Sequence, residues 1–165
     1  MELKPIASEL HRLHESVLWS AQGQFEQMKY WRALNLVLGV PAAVLAAISG
    51  GTGLAAKSTT YVPAILALIA AGFGAALTTL NPSRRVAQAQ ASANAYLELQ
   101  TTFRQLLTIK LSTMTRAEAL DALASLSDRR DEVNRTADPP GWYAYWRSKR
   151  AIGAGGQSYV ADKDT

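Results

Sequence analysis

Residues 33–56, ALNLVLGVPAAVLAAISGGTGLAA, and residues 58–83, STTYVPAILALIAAGFGAALTTLNPS, contain no charged side chain, and only Lys57 stands between them. These two stretches decide the fold. Roughly 17–25 apolar residues, rising about 1.5 Å each in a helix, cross the hydrocarbon core of a bilayer. Leu34 to Gly50 and Tyr61 to Leu80 meet that length. A surface helix of a soluble domain carries a polar face, and neither stretch has one. A soluble bundle with two wholly buried helices is the competing reading. Two adjacent uncharged runs favour the membrane. The expected fold is all-α: an integral membrane helical hairpin of two transmembrane helices over residues 33–82, continuing into a cytosolic antiparallel helical stalk or bundle of coiled-coil character. Gly50-Gly51-Thr52-Gly53 and Lys57-Ser58-Thr59-Thr60 place the turn near residues 50–60. Pro63 suits the first turn of the second span, and Asn81-Pro82 ends it.

The flanks set the orientation. Lys29 and Arg32 precede the first span, Arg84 and Arg85 follow the second, and the connection holds Lys57 alone. The positive-inside bias then puts both termini in the cytosol of a multi-pass protein of the cell (inner) membrane. Tyr30, Trp31 and Tyr61 suit interfacial anchors. The long polar lead before the first apolar run reads as a retained anchor rather than a cleavable signal.

Inside the spans, small residues recur every fourth position: Gly39, Ala43 and Ala47 in the first, Ala67, Ala71 and Ala75, and Ala70 and Gly74, in the second. Such stripes let helix backbones approach closely in lipid. They predict a homo-oligomer, or the contact between the two spans of one chain. Gly39, Ala43, Ala47, Ala67, Ala71, Gly74 and Thr78 are the candidate packing or pore-lining positions. No ionisable group lies at depth, which speaks against proton relays, ion-coupled transport and voltage sensing.

Outside the spans the periodicity is helical. Leu10, Leu13, Val17, Ala21, Phe25, Met28 and Trp31 form one stripe, with Glu9, Arg12, Glu15, Gln22, Glu26 and Lys29 largely off it. Residues 1–32 therefore read as an amphipathic cytosolic helix running into the first span. Residues 83–138 read as further cytosolic helices. Val86, Ala89, Ala93, Tyr96, Leu99 or Gln100, Phe103, Leu106 and Leu107 form the stripe of the first. Thr115-Arg116-Ala117-Glu118 is a capping box that opens the next, with Leu120, Leu123, Leu126 and Val133 as its apolar face. Residues 139–165 form an aromatic-basic segment and a tail, flexible after Ile152 by its Gly-rich composition.

The 165-residue chain carries 17 basic and 13 acidic residues, a net charge of +4 that anionic headgroups explain without nucleic acid. With no cysteine there is no disulfide and no thiolate chemistry. His11 and His14 lie one turn apart but lack a third ligand, so no metal or cofactor is expected. No catalytic triad, phosphate loop or carboxylate pair stands out, and the chain is not expected to be an enzyme. Trp142 and Trp146 beside Arg147, Lys149 and Arg150 suit a membrane interface or partner contact; the rings could equally pack on the bundle or stack on a base.

Residues 30–50, YWRALNLVLGVPAAVLAAISG, and 80–99, LNPSRRVAQAQASANAYLEL, resemble the SLATT family, the two-transmembrane effectors associated with SMODS nucleotide synthetases and SLOG nucleotide sensors. The shared features are an aromatic-basic lead-in, a Pro-containing first span, a Gly/Ala-rich second span, and a Leu-x-Pro-x-x-Arg-like step into an Ala-rich helix. The resemblance implies a membrane effector of a bacterial antiphage or conflict defence system. It would form a homo-oligomeric pore that disrupts membrane integrity on a nucleotide-type signal from a cytosolic sensor or signalling partner. A non-catalytic membrane-anchored scaffold that recruits a cytosolic partner is the alternative.

Overall fold

The computed structural model describes residues 3–55, 61–139, 141, 142, 146, 147, 149 and 150. Every regular element among them is helical: α1 (Lys4–Ala55), α2 (Val62–Leu80), α3 (Pro82–Gln105) and α4 (Arg116–Thr136), with a π-helical turn over Leu106–Lys110 and a 3-10 turn over Leu111–Thr113 between α3 and α4. The chain divides into two compact units. One comprises Lys29–Val86; the other comprises the residues up to Met28 and those from Ala87 on.

In the first unit, α1 and α2 run antiparallel. Ser83 Oγ donates to Asn35 Oδ1 at 3.4 Å, and Ser49 Oγ donates to the Pro63 carbonyl at 2.7 Å. A Cβ on Gly39 would lie 3.8 Å from Leu77 Cδ1. The chain does not turn at Gly50, where the sequence predicts that the turn begins. Gly50, Gly51, Thr52 and Gly53 belong to α1, which continues to Ala55. Glycine costs a helix only about 1 kcal/mol relative to alanine. The Thr52 hydroxyl returns to the Ile48 carbonyl at 2.7 Å, so the residue satisfies itself within the helix rather than breaking it. Lys57 to Thr60, the rest of the predicted turn, lie outside the described residues.

Asn81 makes the step that the sequence predicts. It adopts a left-handed conformation (φ 44°), and its N–H closes α2 on the Leu77 carbonyl at 2.9 Å. Asparagine tolerates this conformation because its short amide side chain bonds locally. Its Oδ1 accepts from the Arg84 N–H at 3.4 Å, and Pro82 takes the first position of α3, where a missing N–H costs nothing.

The second unit is a helical bundle around one core. Leu10, Leu13, Val17 and Ala21 from α1 meet Tyr96, Leu99 and Phe103 from α3, together with Leu106, Leu111, Ala119 and Leu126. The predicted stripe of α3 is thus largely buried, and that of α1 is buried as far as Ala21; beyond it Phe25 and Met28 are only half-buried, while Gln24, Glu26 and Gln27, off the predicted stripe, are buried. The π-turn explains a register change after Leu106. Its closing bond runs from the Leu111 N–H to the Leu106 carbonyl, five residues back. The extra residue turns Leu111 rather than Lys110 into the core.

In α4, Thr115 accepts from the Glu118 N–H, and Glu118 Oε2 accepts from the Thr115 N–H at 2.7 Å, forming the predicted capping box. The α4 face needs correction. Ala119 is buried and Leu120 is exposed. Seven residues are nearly two turns, so Ala119 shares the line of Leu126, whereas Leu120 lies far round the helix.

Candidate functional site

Two helices are long and apolar enough to cross a membrane, one within Lys4–Gly53 and one within Val62–Thr113. Their apolar windows are 0 % and 6 % buried, so these are not core helices shielded by the rest of the chain. Leu36, Val37, Val40, Val44 and Ile48 of α1 are exposed, as are Val62, Ile65, Leu68 and Ile69 of α2. An exposed apolar surface of this extent marks a protein or membrane contact.

That surface has two sides. At about 100° per residue, the half-buried seam of α1 against α2 runs through Leu34, Leu38, Ala42, Leu45 and Ser49. Gly39 lies half-buried at the edge of the seam; beyond it on that flank come Ala43, Ala46, Ala47 and Gly50, with Leu36 among them, and on the other flank come the valines and Ile48. In α2 the seam holds Leu66, Phe73, Leu77 and Ala70, the last 8 % exposed. One flank carries Ala64, Ala67, Ala71, Ala75 and Thr78, and the other Val62, Ile65 and Ile69, with Leu68 opposite the seam beside Ala75. The small flank follows the seam in the same rotational sense on both helices. Because the helices are antiparallel, the two small flanks fall on the same side of the hairpin. One side is therefore thin and the other bulky.

Of the predicted packing residues, Gly39 lies near Leu77 of its own chain, while Ala43, Ala47, Ala67, Ala71 and Thr78 face outward on the thin side. A Cβ on Gly74 would meet nothing within 4 Å. Thr78 returns its hydroxyl to the Gly74 carbonyl at 3.0 Å, so its outward surface is the methyl-bearing side of a satisfied group.

The basic flanks converge in part. Arg85 stacks its guanidinium on Trp31, 4.7 Å from the ring centroid, and donates to the Leu80 carbonyl at 3.3 Å. Lys29, Arg32 and Arg84 are exposed. Trp31 also meets Tyr30 edge-on, with centroids 5.4 Å apart. The lead-in to the first span and the Asn-Pro-Ser-Arg-Arg step after the second thus form one aromatic-basic cluster.

In the bundle, the sequence reading missed a buried polar layer. Gln24, Glu26, Gln27, Ser92 and Gln100 are all buried. Glu26, read as solvent-facing, is 4 % exposed and accepts from Arg147 Nε at 3.1 Å. Burial of a carboxylate requires such a partner. Gln24 Nε2 donates to the Asp138 carbonyl at 2.7 Å, and the Tyr96 hydroxyl donates to Asn134 Oδ1 at 2.7 Å. These groups border a cleft of about 450 Å³ lined by Ser20, Gln24, Tyr96, Asn134, Asp138 and Pro139. Burial pushes the Tyr96 phenol above its ordinary value, so it stays a neutral donor.

Trp142, Trp146, Arg147, Lys149 and Arg150 are all exposed to some degree, with Arg150 stacked on Trp146 at 4.9 Å. Tyr143, Tyr145 and the Gly-rich tail after Ile152 lie outside the described residues. Among the described residues no three metal-ligating side chains converge. His11 is exposed and His14 is half-buried.

Burial holds the His14 imidazole below its ordinary value, and repulsion from His11 and Arg104 adds to this. Its Nε2 is buried without a hydrogen-bond partner among the described residues. A depressed histidine binds its proton less readily folded than unfolded. Its stabilising contribution is full above the ordinary value and is lost as pH falls through it toward the folded value. The melting midpoint of the bundle should therefore drop between pH 7.5 and pH 5.5. His14→Gln should flatten that part of the profile. An unchanged pH profile in this variant would show that other groups govern it.

The chain matches no family model, no curated protein and no solved structure.

Proposed function

We propose that this protein is a two-span membrane effector whose hairpins assemble through their thin sides, around a common axis, into a homo-oligomeric pore. Both termini lie in the cytosol in this reading, and the bundle receives a nucleotide-type signal through a sensor or signalling partner. No catalysis, metal, cofactor or nucleic acid takes part. The observation that carries the reading is the two-sided hairpin: an uncharged, exposed surface with bulky β-branched residues on one side and mostly Ala, Gly and Thr on the other, where Leu36 and Leu68 stand at the outer edge. Bulky side chains fill the space among lipid tails. Small ones gain most from another helix, because packing rather than the hydrophobic effect drives helix association in lipid.

A pore so built would be lined by small, weakly polar groups from several subunits. It would be selective by width rather than by charge. The resemblance to SLATT proteins supports the same reading and supplies the defence context. Opening requires a ligand or partner that binds the open state better than the closed one.

Expression in cells loaded with a potential-sensitive dye tests it. Loss of membrane potential is expected when the defence signal is present or the chain is overproduced. Full potential under every condition that arrests growth would overturn the pore.

A further inference from the structure

The segment after α4 carries Arg147, Lys149 and Arg150, with no acid between Gly141 and Arg150. One member is committed to the bundle: Arg147 Nε holds the buried Glu26 carboxylate at 3.1 Å while half of its side chain remains exposed. Arg147 thus fixes the position of its neighbours. Beside it lies a cleft of about 300 Å³ lined by Glu26, Trp146, Arg147 and Arg150.

Arg150 lies with its guanidinium over the Trp146 ring, 4.9 Å from the centroid. A guanidinium held over a ring keeps N–H donors with which arginine grips a phosphate or carboxylate through two parallel bonds. Two guanidinium groups against one carboxylate leave the cleft net positive. Trp142 is 82 % exposed and Trp146 52 %. Large aromatic surface next to cations is the composition of a headgroup-level contact, with rings among the upper acyl carbons and cations at the phosphates.

We propose that Arg150 and Trp146, positioned by the Arg147–Glu26 pair and joined by Trp142 and Lys149, bind the phosphate of an anionic phospholipid headgroup. This rests on the reading of residues 33–82 as a membrane hairpin. Bound lipid would hold the segment against the bilayer surface and make the protein's behaviour depend on the charge of the leaflet.

The test uses the full chain in neutral detergent, with lipid binding followed by native mass spectrometry. The probes are dihexanoylphosphatidylglycerol, dihexanoylphosphatidylcholine and inorganic phosphate. The phosphatidylglycerol should bind more tightly than the phosphatidylcholine. Its affinity should fall about tenfold in Arg150→Gln, as for loss of a charge-assisted contact, and fall comparably in Trp146→Ala. Arg116→Gln removes the same charge from an exposed position at the start of α4 and should bind as the parent does.

Equal binding of the two lipids, or equal weakening in Arg116→Gln, would overturn the site. Competition by inorganic phosphate alone would assign it to a free anion instead of a lipid. A chain that stays monodisperse without detergent defeats the hairpin before any lipid is added. A chain that needs detergent but ignores phosphatidylglycerol defeats the headgroup site alone.

Discussion

Gly74→Leu should reduce depolarisation by at least about tenfold while leaving the amount of protein in the membrane unchanged. The reason lies in what surrounds this position in one chain. A Cβ on Gly74 meets nothing within 4 Å, so the first carbon of a leucine meets no neighbour in the hairpin of one chain. Leucine also favours insertion, since it lowers the free energy of a helix in the bilayer. Neither folding of the hairpin nor its entry into lipid should suffer. What leucine obstructs is the approach of a second backbone across the thin side, which is worth about 1.4 kcal/mol for each tenfold in assembly.

Gly39→Leu is a poorer probe, because its Cβ would already be 3.8 Å from Leu77 Cδ1 and a larger side chain presses on the hairpin seam itself. Ile69→Leu, on the bulky side, should change little. The measurement is dye response against membrane-fraction abundance for each variant. Full depolarisation in inserted Gly74→Leu protein would remove the thin side from the pore. Together with preserved signalling by the bundle, it would favour a hairpin that only tethers a scaffold.

What the sequence carried plainly was local or periodic. The two uncharged stretches, the Asn81-Pro82 step and the Thr115–Glu118 box each specify structure through residues within a turn or two of one another. The core stripes of α1 and α3 follow from the helical period. What the sequence did not carry depended on distance. Glu26 looks solvent-facing because its neighbours on the helix are polar and its counter-ion, Arg147, lies 121 positions on. Gln24 likewise finds its acceptor at Asp138, 114 positions away. A buried polar layer has no period of its own, and only its partners tell it from a solvated face.

The small-residue stripes show a different limit. Their spacing marks a packing surface but does not say whose. Only the structure tells Gly39, beside Leu77 of its own chain, from Ala67 and Ala71, which face outward. The π-turn at Leu106–Lys110 was also illegible, because an inserted residue leaves composition unchanged and shows itself only as the burial of Leu111 in place of Lys110.

Phe103→Ala should destabilise the bundle by about 3–5 kcal/mol, the cost of emptying a filled aromatic site. Phe103 has no exposed surface and is the largest fully buried side chain described. It packs in the core that Leu10, Leu13 and Val17 share with Leu99, Leu106 and Leu126. Its removal takes apolar area from the core and leaves a cavity that three converging helices cannot collapse to fill, since each is also pinned elsewhere. Arg130 donates to Ser16 at 3.2 Å, Tyr96 to Asn134 at 2.7 Å and Gln24 to Asp138 at 2.7 Å. A transition of this size class shifts by several degrees per kcal/mol, so the bundle's melting midpoint should fall by more than about 10 °C. Ile109→Ala, six residues on and 66 % exposed, deletes a similar apolar side chain at a surface position and should stay within about 0.5 kcal/mol of the parent. Circular dichroism of both variants through the melt distinguishes the cases. Equal midpoints would mean that Phe103 does not sit in a cooperative core. If Phe103→Ala also blunts depolarisation while leaving the chain in the membrane, then the pore depends on an intact bundle, as an effector gated from the cytosol requires.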